Sequence, residues 1–108
     1  MKKQIIIFSA PDGKQPFVEW MEAIRTKDQK TYLRILDRID RIAEFGTYGD
    51  CKPVDNGVFE LRFFFGPGYR VYFGEEGDAV VLLLCGGVKR TQEKDIKRAK
   101  EFWKTYHD

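Results

Sequence analysis

Hydrophobic residues recur with two different periods along the chain, and the change of period divides it into elements. Ile5 to Phe8 is β-branched and aromatic, which predicts a first strand. Apolar residues then recur at intervals of three and four and predict two helices, one from about Pro16 and a longer one from about Asp28 to Phe45. Because few residues join them, these helices should form an antiparallel hairpin. The segment Thr47 to Asn56 contains glycine and proline and predicts a loop.

In the second half of the chain the period changes to two. Residues 59–63 and 69–73 alternate between apolar and polar side chains around Gly66-Pro67-Gly68, which predicts a β-hairpin. The run Val80 to Cys85 is apolar throughout, as expected for a strand covered on both faces. A last helix is predicted from about Gln92 to Tyr106. Its expected buried side consists of Ile96, Ala99, Trp103 and Tyr106.

The predicted element order is β–α–α–β–β–β–α within one domain, residues 1–108. Consecutive strands joined by tight turns favour an antiparallel sheet, here of about four strands. With an N-terminal helical hairpin and a C-terminal helix packed on that sheet, the fold class is α+β.

Charge is nearly balanced over the whole chain, with 19 basic and 17 acidic residues, but it is unevenly placed. From Lys89 to Asp108 there are seven basic residues and four acidic ones. A local excess of this kind suits contact with the backbone of RNA, whereas the net charge of +2 alone would not indicate it.

Several kinds of chemistry are disfavoured by composition. Cys51 and Cys85 allow one disulfide but no disulfide framework, and no residue spacing suggests a zinc site. His107 stands near the C-terminus, which leaves no serine or cysteine nucleophile with a plausible base. The apolar start is too short for a signal peptide, and no stretch reaches transmembrane length, so we expect a cytoplasmic protein without membrane contact.

The polar face of the hairpin carries the first candidate site. A register that buries the alternate apolar residues makes Arg62 and Arg70 neighbours, and two such arginines normally hold an anion between them. That anion could be a bound phosphate, or it could be Glu60 on the same face, in which case the cluster is an ordinary surface salt bridge. Tyr72 also lies on this face.

Basic residues at the end of the apolar strand form a second candidate. Lys89 and Arg90 follow Gly86-Gly87, where the backbone can turn sharply, and Lys94 comes next on the last helix. The alternative is a solvated loop before a basic helix. A further basic stripe on the second helix is interleaved with acidic residues and is expected to be solvated; it consists of Lys30, Arg34, Arg38 and Arg41.

Three runs of residues, 59–62, 66–73 and 82–89, together with Gln92, Asp95-Ile96 and Ala99, resemble the RelE/ParE superfamily of toxins. Within it they resemble the HigB-like branch of addiction module killer proteins. The resemblance extends from about Phe17 to Trp103.

The resemblance implies the toxin of a type II toxin–antitoxin system, a ribosome-dependent endoribonuclease that cleaves translated mRNA and arrests growth. In such enzymes the ribose 2′-hydroxyl attacks the adjacent phosphate, and no metal or cofactor is needed. Arg70 matches the arginine that holds the scissile phosphate, Arg62 a supporting arginine, and Lys89 and Arg90 the basic pair that neutralises developing charge. The remaining polar residues at these positions are candidate substrate contacts: Glu60, Tyr72 and Lys94.

The sequence also departs from the RelE pattern. Val58 and Glu60 stand where RelE has two lysines, and Ile96 stands where it has a tyrosine, so the general base and acid are unassigned. Glu60 and Lys89 are candidates for these roles. The alternative within the superfamily is a ParE-like inhibitor that binds DNA gyrase without nuclease chemistry, and a third is an inactive or purely interacting module.

Either toxin function implies a cognate antitoxin, expected to be a small helix-turn-helix protein that binds operator DNA. The toxin would reach that DNA only through the antitoxin, while mRNA and the ribosome would be its own partners. Exposed aromatic residues such as Tyr48, Phe64 or Phe65 could contribute to the antitoxin surface, although the pattern favours a core or simple surface position for each of them.

Overall fold

The computed structural model describes residues 1–108 and confirms the α+β class. A single turn of 3₁₀ helix, Lys89–Thr91, precedes the last helix. The other elements, in chain order, are β1 (Gln4–Ile7), α1 (Pro16–Lys27), α2 (Gln29–Phe45), β2 (Cys51–Asp55), β3 (Val58–Arg62), β4 (Tyr69–Glu76), β5 (Val80–Val88) and α3 (Gln92–His107). None of the helices has both the length and the hydropathy that a bilayer crossing requires.

The sheet has five strands in the order β1-β5-β4-β3-β2. The prediction of about four antiparallel strands is therefore wrong in two respects. β1 pairs with β5 in parallel, from Gln4 opposite Val80 to Ile7 opposite Leu83, so the sheet is mixed. A tight turn can join only antiparallel strands, whereas parallel strands need a long crossover connection. The helical hairpin between β1 and β2 carries the chain across one face of the sheet before the antiparallel strands begin.

The second error concerns β2, which lies within the segment predicted to be a loop. β2 pairs antiparallel with β3 at the edge of the sheet. Pro53 is compatible with that place because an edge strand has one side on which no N–H is needed. Asn56 and Gly57 both have positive φ, 49° and 85°, and make the turn into β3.

The two N-terminal helices form the predicted hairpin, with Asp28 as their shared cap. The backbone N–H of Asp28 donates to Ile24 at the end of α1, and its carboxylate accepts from the N–H of Thr31 in α2 at 3.2 Å. Gly46 ends α2 in the left-handed conformation, with φ of 69°. Asp28 thus caps both helices, α1 through its backbone N–H and α2 through its side chain.

Helices cover both faces of the sheet, as the apolar run in β5 predicted. α1 and α2 pack on one face, where Val81 and Leu83 enter a core cluster of 11 buried residues. α3 packs on the other face, where Leu82 and Leu84 enter a cluster of seven. The prediction that Tyr106 is buried is wrong: it is 40% exposed and stacks on Trp103, because the last turn of α3 offers it no sheet to cover.

Arg38 is not on a solvated face, contrary to the prediction for the basic stripe of α2. Its guanidinium is half-buried and donates to the carbonyl oxygens of Arg62, Tyr48 and Asp50 at 2.9, 2.9 and 3.3 Å. Burial lowers the pKa of this guanidinium from its usual value. The carbonyl of Asp50 also accepts the backbone N–H of Arg62 at 2.9 Å, and Arg38 adds donors to the carbonyls of this segment.

Candidate anion-binding site

Arg62 and Arg70 lie directly opposite each other on β3 and β4, as the alternation of the hairpin predicted. Gly87 of β5 continues the same row, and a β-carbon there would face Asp95 of α3. The row is therefore on the side of the sheet that α3 covers.

Each of the two arginines has its own carboxylate. Arg62 donates to Oδ1 of Asp50 at 2.9 Å, and that hydrogen bond raises the pKa of Arg62 further above its usual range. The Nε atom of Arg70 lies 3.6 Å from Oε2 of Glu60. Two anions from the chain thus separate the charges, and the sequence pattern identified only the second of them.

Glu60 is fully buried, so the alternative of an ordinary surface salt bridge is wrong. Its Oε2 accepts hydrogen bonds from the hydroxyl of Tyr72 at 3.0 Å and from Nε2 of Gln92 at 2.8 Å. The first turn of α3 lies over this part of the sheet, and Gln92 reaches down from it. Period-two alternation distinguishes two faces but cannot show that a helix later in the chain covers the polar one.

Tyr72 is also fully buried, between Glu60 and the underside of α3. Burial, and next the neighbouring carboxylate of Glu60, raise the pKa of Tyr72 far above its usual value. Its hydroxyl therefore remains protonated and acts as a donor to Glu60. In this structure Tyr72 and Glu60 contact the protein interior and not the open cleft.

Arg70 has donor groups to spare. The residue is only 7% exposed, and its Nε and Nη1 atoms are enclosed without a hydrogen-bond partner. Buried polar groups nearly always make hydrogen bonds. Two donor groups on a fixed cation that make none could donate to the oxygens of a carboxylate or phosphate. This unsatisfied guanidinium is the strongest indication of a ligand site in the molecule.

A basic cleft lies at the N-terminus of α3. It has a volume of about 400 Å³ and includes three exposed basic side chains, Lys89, Arg90 and Lys94, against one acidic residue, Glu93. The partial positive charge of the 16-residue helix adds to theirs. Gln92 lines this cleft and also bonds Glu60, so the cleft and the buried cluster adjoin.

The N-terminus of α3 is held on the sheet by contacts that the sequence did not predict. Asp95 is buried, accepts a short hydrogen bond from the hydroxyl of Thr91, and pairs with Arg98 at 3.5 Å. A β-carbon at Gly87 would lie 1.8 Å from the carboxylate of Asp95. The only sequence signal for this close approach was the Gly86-Gly87 pair.

The other reactive groups of the chain lie elsewhere. Cys51 and Cys85 are free thiols on opposite faces of the sheet, and burial raises their pKa values to about 11 and about 12. His107 bonds the Trp103 carbonyl and Glu76 at the far end of α3. No group of three or more His, Cys, Asp or Glu side chains is arranged to hold a metal ion.

The fold and site together define an α+β protein with a buried, partly unpaired arginine next to a basic cleft, an arrangement suited to binding an anion. The chain belongs to the same family as an uncharacterized protein of Haemophilus influenzae, to which it is 46% identical over 84 residues. The similarity covers 78% of this chain and 82% of that protein. No model of a known protein family matches the chain.

Proposed function

We propose that the protein is a RelE-like toxin of a type II toxin–antitoxin system that cleaves translated mRNA on the ribosome, in the cytoplasm. The observation that carries this proposal is Arg70, whose enclosed Nε and Nη1 make no hydrogen bond, although Nε lies 3.6 Å from Glu60. A cleft with three basic side chains adjoins this cluster through Gln92, which bonds Glu60. A phosphodiester would supply the missing acceptors. The resemblance of residues 59–73 and 82–89 to that superfamily supports the same conclusion.

In this proposal Arg70 binds a non-bridging oxygen of the scissile phosphate. The ribose 2′-hydroxyl attacks the phosphorus, the bond to the 5′-oxygen breaks, and a 2′,3′-cyclic phosphate and a 5′-hydroxyl result. The pentavalent intermediate carries more negative charge than the substrate, and Arg70, Lys89 and Arg90 stabilise it. Lys94 contacts a flanking phosphate from the exposed side of the cleft.

The proton transfers are assigned separately from the stabilisation of charge in the intermediate. Glu60 is buried and already bonded by Tyr72 and Gln92, which makes it an anchor for Arg70 and not the general base. Lys89 is exposed at the cleft and can donate a proton to the departing 5′-oxygen. Removal of the 2′-hydroxyl proton then falls to a group outside this cluster, such as ribosomal RNA.

A gyrase-binding toxin of the ParE type is the second candidate, and one observation favours it. The cleft has no histidine, and Glu93 is the one carboxylate that lines it, so few groups there could accept a proton. In both cases the partner is a helix-turn-helix antitoxin that neutralises the toxin and links it to operator DNA.

The test is primer extension on a reporter mRNA after brief induction of the wild type, Arg70→Ala and Arg70→Lys. We expect cuts inside the translated frame with the wild type, loss of at least about 100-fold with Arg70→Ala, and incomplete rescue by lysine, which cannot bind two oxygens in one plane. Arg25→Ala, which removes an exposed arginine of α1, is the matched control and should cut normally.

Growth arrest with intact mRNA would exclude the nuclease and lead to a supercoiling assay with purified gyrase. Neither arrest nor cuts, with folded protein present, would contradict both toxin functions.

A further inference from the structure

The outer face of α2 and the segment after β3 enclose a hollow that the proposed nuclease chemistry does not use. It has a volume of about 440 Å³, and α2 packs on the opposite face of the sheet from α3. Leu33 and Phe64 are 52% and 77% exposed there, although both are large apolar side chains. The full lining is Leu33, Arg34, Asp37, Arg38, Phe63, Phe64 and Phe65.

Three arginines lie over three consecutive phenylalanines in and beside this hollow, and the third of them, Arg62, is not part of its lining. The guanidinium carbon lies 3.5 Å from the ring centre for Arg34 over Phe65, 4.5 Å for Arg38 over Phe63, and 5.4 Å for Arg62 over Phe64. Contact with a ring face restricts the position of a guanidinium without occupying its N–H groups.

Only one of these three arginines has all its donors available. Arg38 donates to backbone carbonyls and Arg62 to Asp50, whereas Arg34 makes no hydrogen bond or ion pair within the chain. Asp37, the one acidic residue in the hollow, is paired with Arg41 at 3.1 Å. The hollow therefore presents a fixed, unpaired cation beside exposed apolar surface, which is complementary to a carboxylate next to an apolar side chain.

The sign of the charge changes farther along α2. A second hollow of about 730 Å³ adjoins the first at Asp37 and includes Asp40, Glu44 and the 64% exposed ring of Phe45. Its one basic residue, Arg41, is paired with Asp37, and Glu44 lies 3.7 Å from the exposed Lys2, which leaves Asp40 unpaired and the hollow acidic on balance. A nucleic-acid backbone would be repelled there, since it is negative along its whole length. A protein segment can instead carry opposite charges at its two ends.

We propose that these two hollows, together the α2 surface, bind one segment of another protein. An apolar side chain of that segment lies between Leu33 and Phe64, its carboxylate binds Arg34, and a basic residue lies over Asp40 and Glu44. Arg34 and Glu44 are about 15 Å apart along the helix axis, a span of about ten residues of helix or about five of extended chain. The proposal does not depend on nuclease activity.

The test uses a displayed library of random 16-residue peptides, selected on the full-length protein and counter-selected on its Phe64→Ser variant. We expect enriched peptides to carry an acidic residue next to an apolar one, with basic residues toward one end. Synthetic versions should bind Arg34→Ala and Phe64→Ser at least about tenfold more weakly than the wild type. The matched controls on α1, Arg25→Ala and Val18→Ser, should bind as the wild type does.

Other outcomes would overturn the proposal. These are no enrichment over the counter-selected pool, or peptides that bind Arg34→Ala and Phe64→Ser unchanged. A sedimentation experiment in which Phe64→Ser dissolves a dimer would identify a second copy of this chain as the occupant instead. A 12-nucleotide RNA whose binding Arg34→Ala weakens while no peptide is enriched would identify nucleic acid. Thermal melting of both variants confirms that they are folded.

Discussion

The two faces of the sheet bury different kinds of residues. Under α1 and α2, 11 buried hydrophobic residues form the core cluster, and the buried polar residue on that side is the uncharged Thr31 of α2. Under α3 the apolar cluster is smaller, and Glu60, Arg70 and Asp95 are buried beside it. Buried charges are rarely the most stabilising choice, because taking an ion out of water costs more than a single partner returns. The first face therefore stabilises the fold, and the second keeps charge in a fixed place at some loss of stability.

Removing one member of the buried ion pair should have the largest effect on stability. Glu60→Ala leaves Arg70 buried without a carboxylate, and we expect a loss of about 3–5 kcal/mol in the free energy of unfolding, measured in urea. Glu22→Ala, an exposed glutamate of α1, is the control and should change it by less than about 1 kcal/mol. The double variant Glu60→Leu/Arg70→Met should be about as stable as the wild type. If the double variant is as unstable as Glu60→Ala, the charge is not the cause.

A smaller effect is expected where an indole ring lies on a glycine, which happens once on each face. A β-carbon at Gly86 would lie 2.3 Å from Trp20 of α1, and one at Gly74 would lie 2.1 Å from Trp103 of α3. Because neither ring can move without leaving its packing, alanine at either glycine should cost about 1–3 kcal/mol by thermal or urea unfolding. Equal losses would show that both helices are held equally firmly; a loss at Gly86 alone would show that α3 can shift.

The smallest expected effect concerns the rate at which the two thiols are labelled, and this rate depends on pH. Cys51 and Cys85 have pKa values of about 11 and about 12, above the usual range, because burial disfavours the thiolate. Labelling of the folded protein with a thiol reagent at pH 8 should therefore be slow. It should accelerate about tenfold per pH unit below the pKa, with Cys51, the less buried thiol, reacting first. Labelling of Cys51→Ser isolates Cys85, and fast reaction of that variant at pH 8 would mean that the α3 face opens readily.

The parts of the fold that depend on local pattern could be predicted from the sequence. Alternation placed Arg62 and Arg70 as neighbours on one face, which the structure confirms, and helical spacing placed Ile35, Ile39 and Ile42 toward the core. β2 was missed because an edge strand with Pro53 carries little apolar signal. The pairing of β1 with β5 was missed because nothing local specifies it.

The sequence identified most residues of the candidate site but not the contacts that those residues make. Glu60 and Tyr72 read as surface positions because the helix that buries them comes some 20 residues or more later in the chain. The same limit applies to Arg38, whose partners are carbonyls, and to Asp50, which precedes a strand that was not predicted. The spacing of side chains shows which face of an element a residue lies on. Whether that face is buried depends on which other element covers it.

The parallel pairing of β1 with β5 has a consequence for how the chain folds. Gln4 meets Val80, which is 76 residues later, so the N-terminal strand has no partner until most of the protein has been synthesised. Closing so large a loop raises the contact order and slows folding. Until β5 has been synthesised, the backbone groups of β1 are open to pairing with other chains. During synthesis, completion of the sheet must therefore be one of the last events.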